Sequence, residues 1–133
     1  MEVTTPQTQP QTLFEKYGGK STVDTLVNYF YEELVLKDDL VRGFFTHIDM
    51  AAQKKKQSNF ISFALGSHNK YTGRTMKASH LHMHIKDIHF DRIVQHLATT
   101  LRVHGVEEAD IQAIAQKLEP FREDIVEKDN VSA

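Results

Sequence analysis

The stretch 77–97, K-A-S-H-L-H-M-H-I-K-D-I-H-F-D-R-I-V-Q-H-L, holds five of the chain's eight histidines: His80, His82, His84, His89 and His96. A neutral imidazole is the commonest metal donor among side chains. His80 stands just before a short, polar, non-periodic piece, so its ring can point across a cavity instead of into packing. His80 and His84 are four apart and could share a helical face, which leaves a two-histidine metal site open. On spacing alone, an ordinary surface histidine on a short helix is the commoner case for His80. His82 and His84 read as solvated, and His89 and His96 as packing or solvent-facing. A second concentration lies in residues 50–65. At about 100° per residue, Gln53, Lys56, Gln57, Phe60 and Ala64 share one stripe, while Lys54 and Lys55 point elsewhere. That stripe carries two amides and an amine inward beside Phe60. Buried polar groups are costly without partners, so the mixture implies a polar pocket inside the fold. Tyr31 adds a hydroxyl at the edge of an earlier apolar face. The plain alternatives are a tyrosine with its hydroxyl in water, a surface amide at Gln57 and a solvated charge run at Lys54–Lys56.

Helices must position these groups. Leu13-Phe14-Glu15-Lys16-Tyr17 forms one short helical piece, ended by Gly18-Gly19. Ser21 with Asp24 marks a helix start, and Val23, Leu26, Val27, Phe30 and Leu34 repeat at helical spacing. Lys37-Asp38-Asp39 breaks that helix, and Leu40–Phe45 forms another short one. Asp49 caps a helix over Met50–Leu65, closed by Gly66. Ser67–Thr75 reads as a loop and Met76–Leu81 as a short helical turn. Asp87 caps the next helix, whose stripe is Phe90, Ile93, Val94, Leu97 and Leu101, ended by Gly105. Glu107, Glu108 and Asp110 favour the start of a last helix. Its stripe is Ile111, Ile114, Ala115, Leu118 and Ile125, interrupted at Pro120, which has no N–H to offer Gln116. No strand-like alternation or internal repeat occurs, and the fold class is all-α. Residues 1–11 read as a disordered tail, 12–127 as the domain and 128–133 as a frayed end.

A chain of 133 residues implies one domain with one core. Sixteen basic against 18 acidic residues give a formal charge of −2, which offers no broad basic field for nucleic acid or acidic membranes. The lack of cysteine excludes disulfides, thiolate zinc sites and C-x-x-C-H haem attachment. The start shows no secretion signal and no apolar run spans a bilayer, so a soluble cytoplasmic protein is expected.

One ordered set of short motifs resembles the truncated haemoglobins, or two-on-two globins, most closely group I. Its carriers are L-F-E-K-Y-G-G at 13–19, F-Y-E-E-L at 30–34, D-D at 38–39, F-F at 44–45 and D-M-A-A-Q-K-K-K-Q at 49–57. It continues through Gly66, Y-T-G-R at 71–74, the M-K-x-x-H frame at 76–80, H-F at 89–90 and H-L at 96–97, and covers residues 13–125.

The resemblance implies a truncated globin fold, two helix pairs sandwiching a non-covalent haem b. His80 matches the proximal iron ligand and Tyr31 the distal tyrosine. Gln53 and Gln57 fall at distal positions, and Phe45 matches the phenylalanine on the haem face. Phe44, Phe60, Phe63, Tyr71, Met76, Phe90 and Val94 are further candidate haem contacts, though each alone reads as plain core. A tyrosine O–H and an amide N–H₂ aimed at a diatomic ligand stabilise the charge it gains, which implies tight oxygen binding. Lys56 stands where members vary and some carry an iron-ligating histidine or lysine, so it is a candidate displaceable ligand or a partner of a haem carboxylate. The segment from Tyr31 to Phe44 is one residue longer than usual. The last helix offers Phe121 and no histidine, so no covalent haem link is expected. The implied function is binding of oxygen, nitric oxide and carbon monoxide by a monomer. Reactive nitrogen and oxygen chemistry such as nitric oxide dioxygenation, with an external reductase, is what the resemblance favours, and it also allows peroxide or nitrite chemistry. Oxygen storage and electron transfer stay open. So do a non-haem helical metal-binding domain and a cofactor-free interaction module.

Overall fold

The computed structural model describes residues 11–67, 76, 80 and 83–127. Among them every regular element is helical, as the periodicities require. Thr12 opens α1 (Leu13–Lys16) with a reciprocal cap: its hydroxyl accepts from the Glu15 N–H at 3.1 Å and Glu15 accepts from the Thr12 N–H at 3.2 Å. Such a cap contributes about 1 kcal/mol. The chain then reverses at Gly18, where φ is +110° and an added Cβ would lie 2.3 Å from the Thr22 hydroxyl. The N-cap position of helix α2 (Gly19–Tyr29) is thus Gly18, in the left-handed region, three residues before the expected Ser21.

Helix α2 does not end as a plain helix. Phe30–Leu34 forms a π turn and Val35–Lys37 a single 3-10 turn. The π turn takes up one residue more than an α turn would, and the side chains on it rotate accordingly. Tyr31, which the α spacing left at the edge of the apolar face, is driven inside to 1% exposure, while Leu34 moves to a half-buried position. The expected Leu40–Phe45 helix is shorter, a 3-10 turn over Arg42–Phe45.

Asp49 caps α3 (Met50–Ala64), accepting from the N–H groups of Ala51 and Ala52. Helix α4 (Asp87–Val103) begins one residue off expectation. Lys86 is the flanking residue and Asp87 is the first helical one, its carboxylate engaged by Arg122 at 2.8 Å. Gly105, at φ +85°, follows its end. Helix α5 (Glu108–Leu118) carries Glu108 and Asp110 in its first turn. Pro120 breaks it into a 3-10 turn (Glu119–Phe121) and α6 (Arg122–Ile125).

Packing pairs α2 with α3 and α4 with α5, and the pairs touch through α2–α4 and α3–α5. Val23, Leu26 and Val27 of α2, Ile61 of α3, Leu101 of α4 and Ile111 and Ile114 of α5 meet in one apolar core. Tyr17 fixes α1 to the start of α5, donating to Asp110 at 2.5 Å and accepting from the Glu107 N–H at 3.1 Å. No helix among the described residues is long and apolar enough to cross a membrane.

Candidate functional site

Between the helix pairs lies a cavity of about 510 Å³, inside the range of roughly 300–1,000 Å³ usual for small-molecule and cofactor sites. Helix α3 supplies Gln53, Lys56, Gln57 and Phe60, four of the five residues assigned to its mixed stripe. The fifth, Ala64, is buried in the apolar core. Lys54 leaves the cavity, as expected, and binds Glu32 at 2.7 Å and Asn28 at 2.9 Å. Tyr31, Phe44 and Phe45 form another wall, and Met76, His80, Phe90 and Val94 a third.

One expected contact differs. Phe63 does not line the cavity: it stands behind the wall, its ring 6.0 Å from Phe60 and 6.1 Å from Phe121, with the Lys117 ammonium 4.7 Å from its centroid. Three residues beyond Phe60, it is turned toward α5 instead of toward the cavity. Tyr71 lies outside the described residues, as does His82.

The imidazole of His80 has its tautomer set by geometry. Nδ1 lies 2.7 Å from the Met76 carbonyl, which can only accept, so Nδ1 carries the hydrogen. In the neutral ring Nε2 then holds the lone pair that a metal takes. His84 does not extend this into a helical pair. Its φ is +58°, it lies outside any helix, and its Nδ1 meets Glu127 at 2.9 Å. No group of three or more His, Cys, Asp or Glu suited to a metal ion occurs among the described residues.

The Tyr31 hydroxyl accepts from the Gln53 amide at 3.0 Å, which uses a lone pair on the phenol oxygen and leaves its hydrogen to donate elsewhere. Burial pushes the phenol up to about 12 against the opposing Gln53 hydrogen bond, so the O–H stays a donor across physiological pH. Phe30 and Phe45 hold the ring edge-on, with centroids 5.0 and 5.4 Å away.

His89 belongs to the cavity wall, not to the solvent face. The Lys86 N–H donates to its Nδ1 at 2.9 Å, so the hydrogen resides on Nε2, and its ring meets Phe44 edge-on at 5.0 Å. The H-F pair at 89–90 was the available signal. Its first residue points inward because it starts the same helical face that carries Ile93 and Leu97. Other wall residues include Met83, Ile85, Phe121 and Ile125, the last two from beyond the proline break.

A largely apolar cavity with the His80 imidazole as metal donor and a separate cluster of hydroxyl, amides and amine fits a porphyrin with one such ligand better than a bare ion. The comparisons with known proteins agree. The family model described as "Bacterial-like globin" matches residues 12–127. A group 1 truncated haemoglobin of Tetrahymena pyriformis is 39% identical over 120 residues, covering 90% of this chain and 98% of that one. One from a Synechocystis strain is 40% identical over 111 residues, covering 78% of this chain and 89% of that one. The crystal structure of the Tetrahymena pyriformis protein in its Fe(III) form superposes with a TM-score of 0.80 at 39% identity, over 89% of this chain and all of that one. The two-on-two haemoglobin of a Synechococcus strain, in the cyanomet state with covalently attached haem, gives 0.79 at 34% identity with the same coverage. By length matched, identity and superposition, the chain belongs to the bacterial-like globin family, whose cofactor is haem, and it is similar throughout its domain to the group 1 truncated haemoglobins.

Proposed function

We propose that this globin binds diatomic gases for reactive nitrogen and oxygen chemistry, with nitric oxide dioxygenation as its leading activity. Haem, when bound, supplies a ferrous site for a diatomic ligand and one-electron redox chemistry. His80 would provide the nitrogen ligand, with Nδ1 held by the Met76 carbonyl so that Nε2 is the nitrogen with the lone pair. Tyr31 would donate its hydrogen to the ligand's outer atom, with Gln53 fixing the phenol from behind and Gln57 within the same wall. His89 would offer an N–H donor to a haem carboxylate.

The observation that carries this reading is the buried Tyr31 O–H, spare after its oxygen has accepted from Gln53, in a cavity that also holds the oriented His80 ring. A donor kept there at 1% exposure favours retention of a partly charged ligand over rapid release. Retention suits a reaction with a second gas. Nitric oxide, dioxygen and one electron give nitrate, and an external reductase would supply the electron. The test mixes the ferrous, oxygenated protein with nitric oxide and assays nitrate. One nitrate per haem at each turnover supports dioxygenation, and simple displacement of oxygen with no nitrate rejects it in favour of oxygen binding alone.

Lys56 lines the cavity while remaining exposed, so its amine has both a path to solvent and a path inward. An ammonium has no lone pair, and ligation of iron requires that proton to leave. We assign Lys56 as a displaceable distal ligand of the resting protein. A Lys56→Ala variant with the wild-type resting visible spectrum removes that assignment.

A further inference from the structure

We propose that Asp38 is a positioning residue, clasping together the two cavity walls so as to set how firmly haem is held and how fast a diatomic ligand enters. The proposal rests on the haem reading above and adds a part outside the cavity lining.

Asp38 sits where the 3-10 turn after the π turn gives way to the connector leading to Phe44 and Phe45. Its side chain is 11% exposed. One carboxylate oxygen accepts from the Leu40 N–H at 3.0 Å. The other accepts from two side chains of α4, His96 Nε2 at 2.6 Å and Arg92 Nη1 at 2.8 Å. Its backbone carbonyl accepts from the N–H groups of Val41 and Arg42. One residue thus fixes the course of the connector and bolts it to α4.

The placement matters for the cavity. Arg92 and His96 are one helical turn apart and flank the face of α4 that presents His89 and Ile93 to the cavity. The connector held by Asp38 ends in Phe44, packed on His89, and Phe45, packed on Tyr31. A shift of the connector along α4 would therefore move Phe44 against His89 and Phe45 against the distal hydroxyl together. The bond from His96 uses Nε2–H, a donor in both the neutral and the protonated ring, so the clasp holds whether or not His96 is charged. The spacing of these residues gave no sign of it, since the bonds join positions 54 and 58 residues apart.

The experiment uses the full chain reconstituted with haemin, comparing wild type with Asp38→Asn, His96→Leu and His96→Gln. Haemin transfer to excess apomyoglobin and carbon monoxide association with the ferrous form are measured, with urea unfolding in parallel. Asp38→Asn and His96→Leu are expected to release haemin at least fivefold faster and to bind carbon monoxide at least threefold faster. His96→Gln, which keeps an N–H donor, should stay within twofold of wild type. A contribution to overall stability alone would shift the urea midpoint and leave the carbon monoxide rate of the folded protein unchanged. Both rates within twofold of wild type in Asp38→Asn and His96→Leu overturn the clasp. If Asp38→Asn does not fold, His96→Leu, which leaves Asp38 only Arg92 as a side-chain partner, decides the matter by the same two rates. Failure of the wild type to take up haemin overturns the underlying haem reading and the clasp with it. Unchanged rates in variants that do take up haemin overturn the clasp alone.

Discussion

At position 31 one phenol does two jobs that a phenylalanine could share only in part. Its ring fills space between Phe30 and Phe45, and its oxygen joins Gln53 while its hydrogen remains to donate. Tyr31→Phe keeps the ring and removes the donor. A hydrogen bond to a partly charged ligand is worth about 1.5 kcal/mol or more, so oxygen dissociation should accelerate by about tenfold or more, as measured by stopped-flow displacement with carbon monoxide. The phenol is held at about 12, so this donor is present below that pH and lost only as pH rises through it. The wild-type oxygen dissociation rate should therefore stay flat through the neutral and mildly alkaline range.

Asp38 titrates at the other end of the scale. Burial works to raise its carboxyl, but hydrogen bonds from His96, the Leu40 N–H and Arg92, with the Arg92 charge, outweigh burial and hold it down to about 2. A depressed native value means the unfolded state binds the proton more readily. The stabilisation is complete above the ordinary value of 3.8 and is lost as pH falls through about 2. Asp38→Asn should lose the part of the acid-unfolding slope between those values, read by far-ultraviolet circular dichroism.

Among the elements, the turn from α1 to α2 depends on Gly18. With φ at +110° and Thr22 in the way of a Cβ, Gly18→Ala should cost about 1–2 kcal/mol, visible as a lower urea midpoint at unchanged slope. Other elements show how far residue patterns reach. The mixed stripe on α3 was legible because helical geometry alone groups Gln53, Lys56, Gln57 and Phe60, and a polar group on an inward face needs a pocket. Asp49 and the break at Pro120 were legible because capping and a missing N–H are local chemistry. The π turn was not. No residue type in F-Y-E-E-L announces an extra residue per turn, and tertiary packing decides it, so Tyr31 could be placed only at the edge of its face. The inward His89 and the Asp38 bonds depend on which helices lie side by side. Helical spacing does not contain that information. Phe63 misled for a related reason: a phenylalanine three residues from Phe60 is apolar in either direction, and only the position of α5 shows that it turns away.

For the molecule as a whole, the cavity couples cofactor binding to stability. The cavity of about 510 Å³ between α2–α3 and α4–α5 presents apolar walls that a bound haem would pack against. Haem binding to the folded state alone stabilises by mass action, about 2.7 kcal/mol at a free concentration 100 times the dissociation constant. The apoprotein should therefore unfold at a lower urea concentration than the haem-loaded protein, and the gap should widen with added haemin. The most direct measurement is the visible spectrum of the haemin-loaded protein in ferric, ferrous and carbonyl forms, set beside His80→Ala. The fold, the orientation of the His80 ring and the family together predict an intense Soret band in the wild type. They also predict a ferrous and carbonyl spectrum that changes when His80 is removed. A chain that leaves haemin unbound, or a His80→Ala variant with all three spectra unaltered, would contradict the assignment of this cavity to haem with His80 as its axial nitrogen.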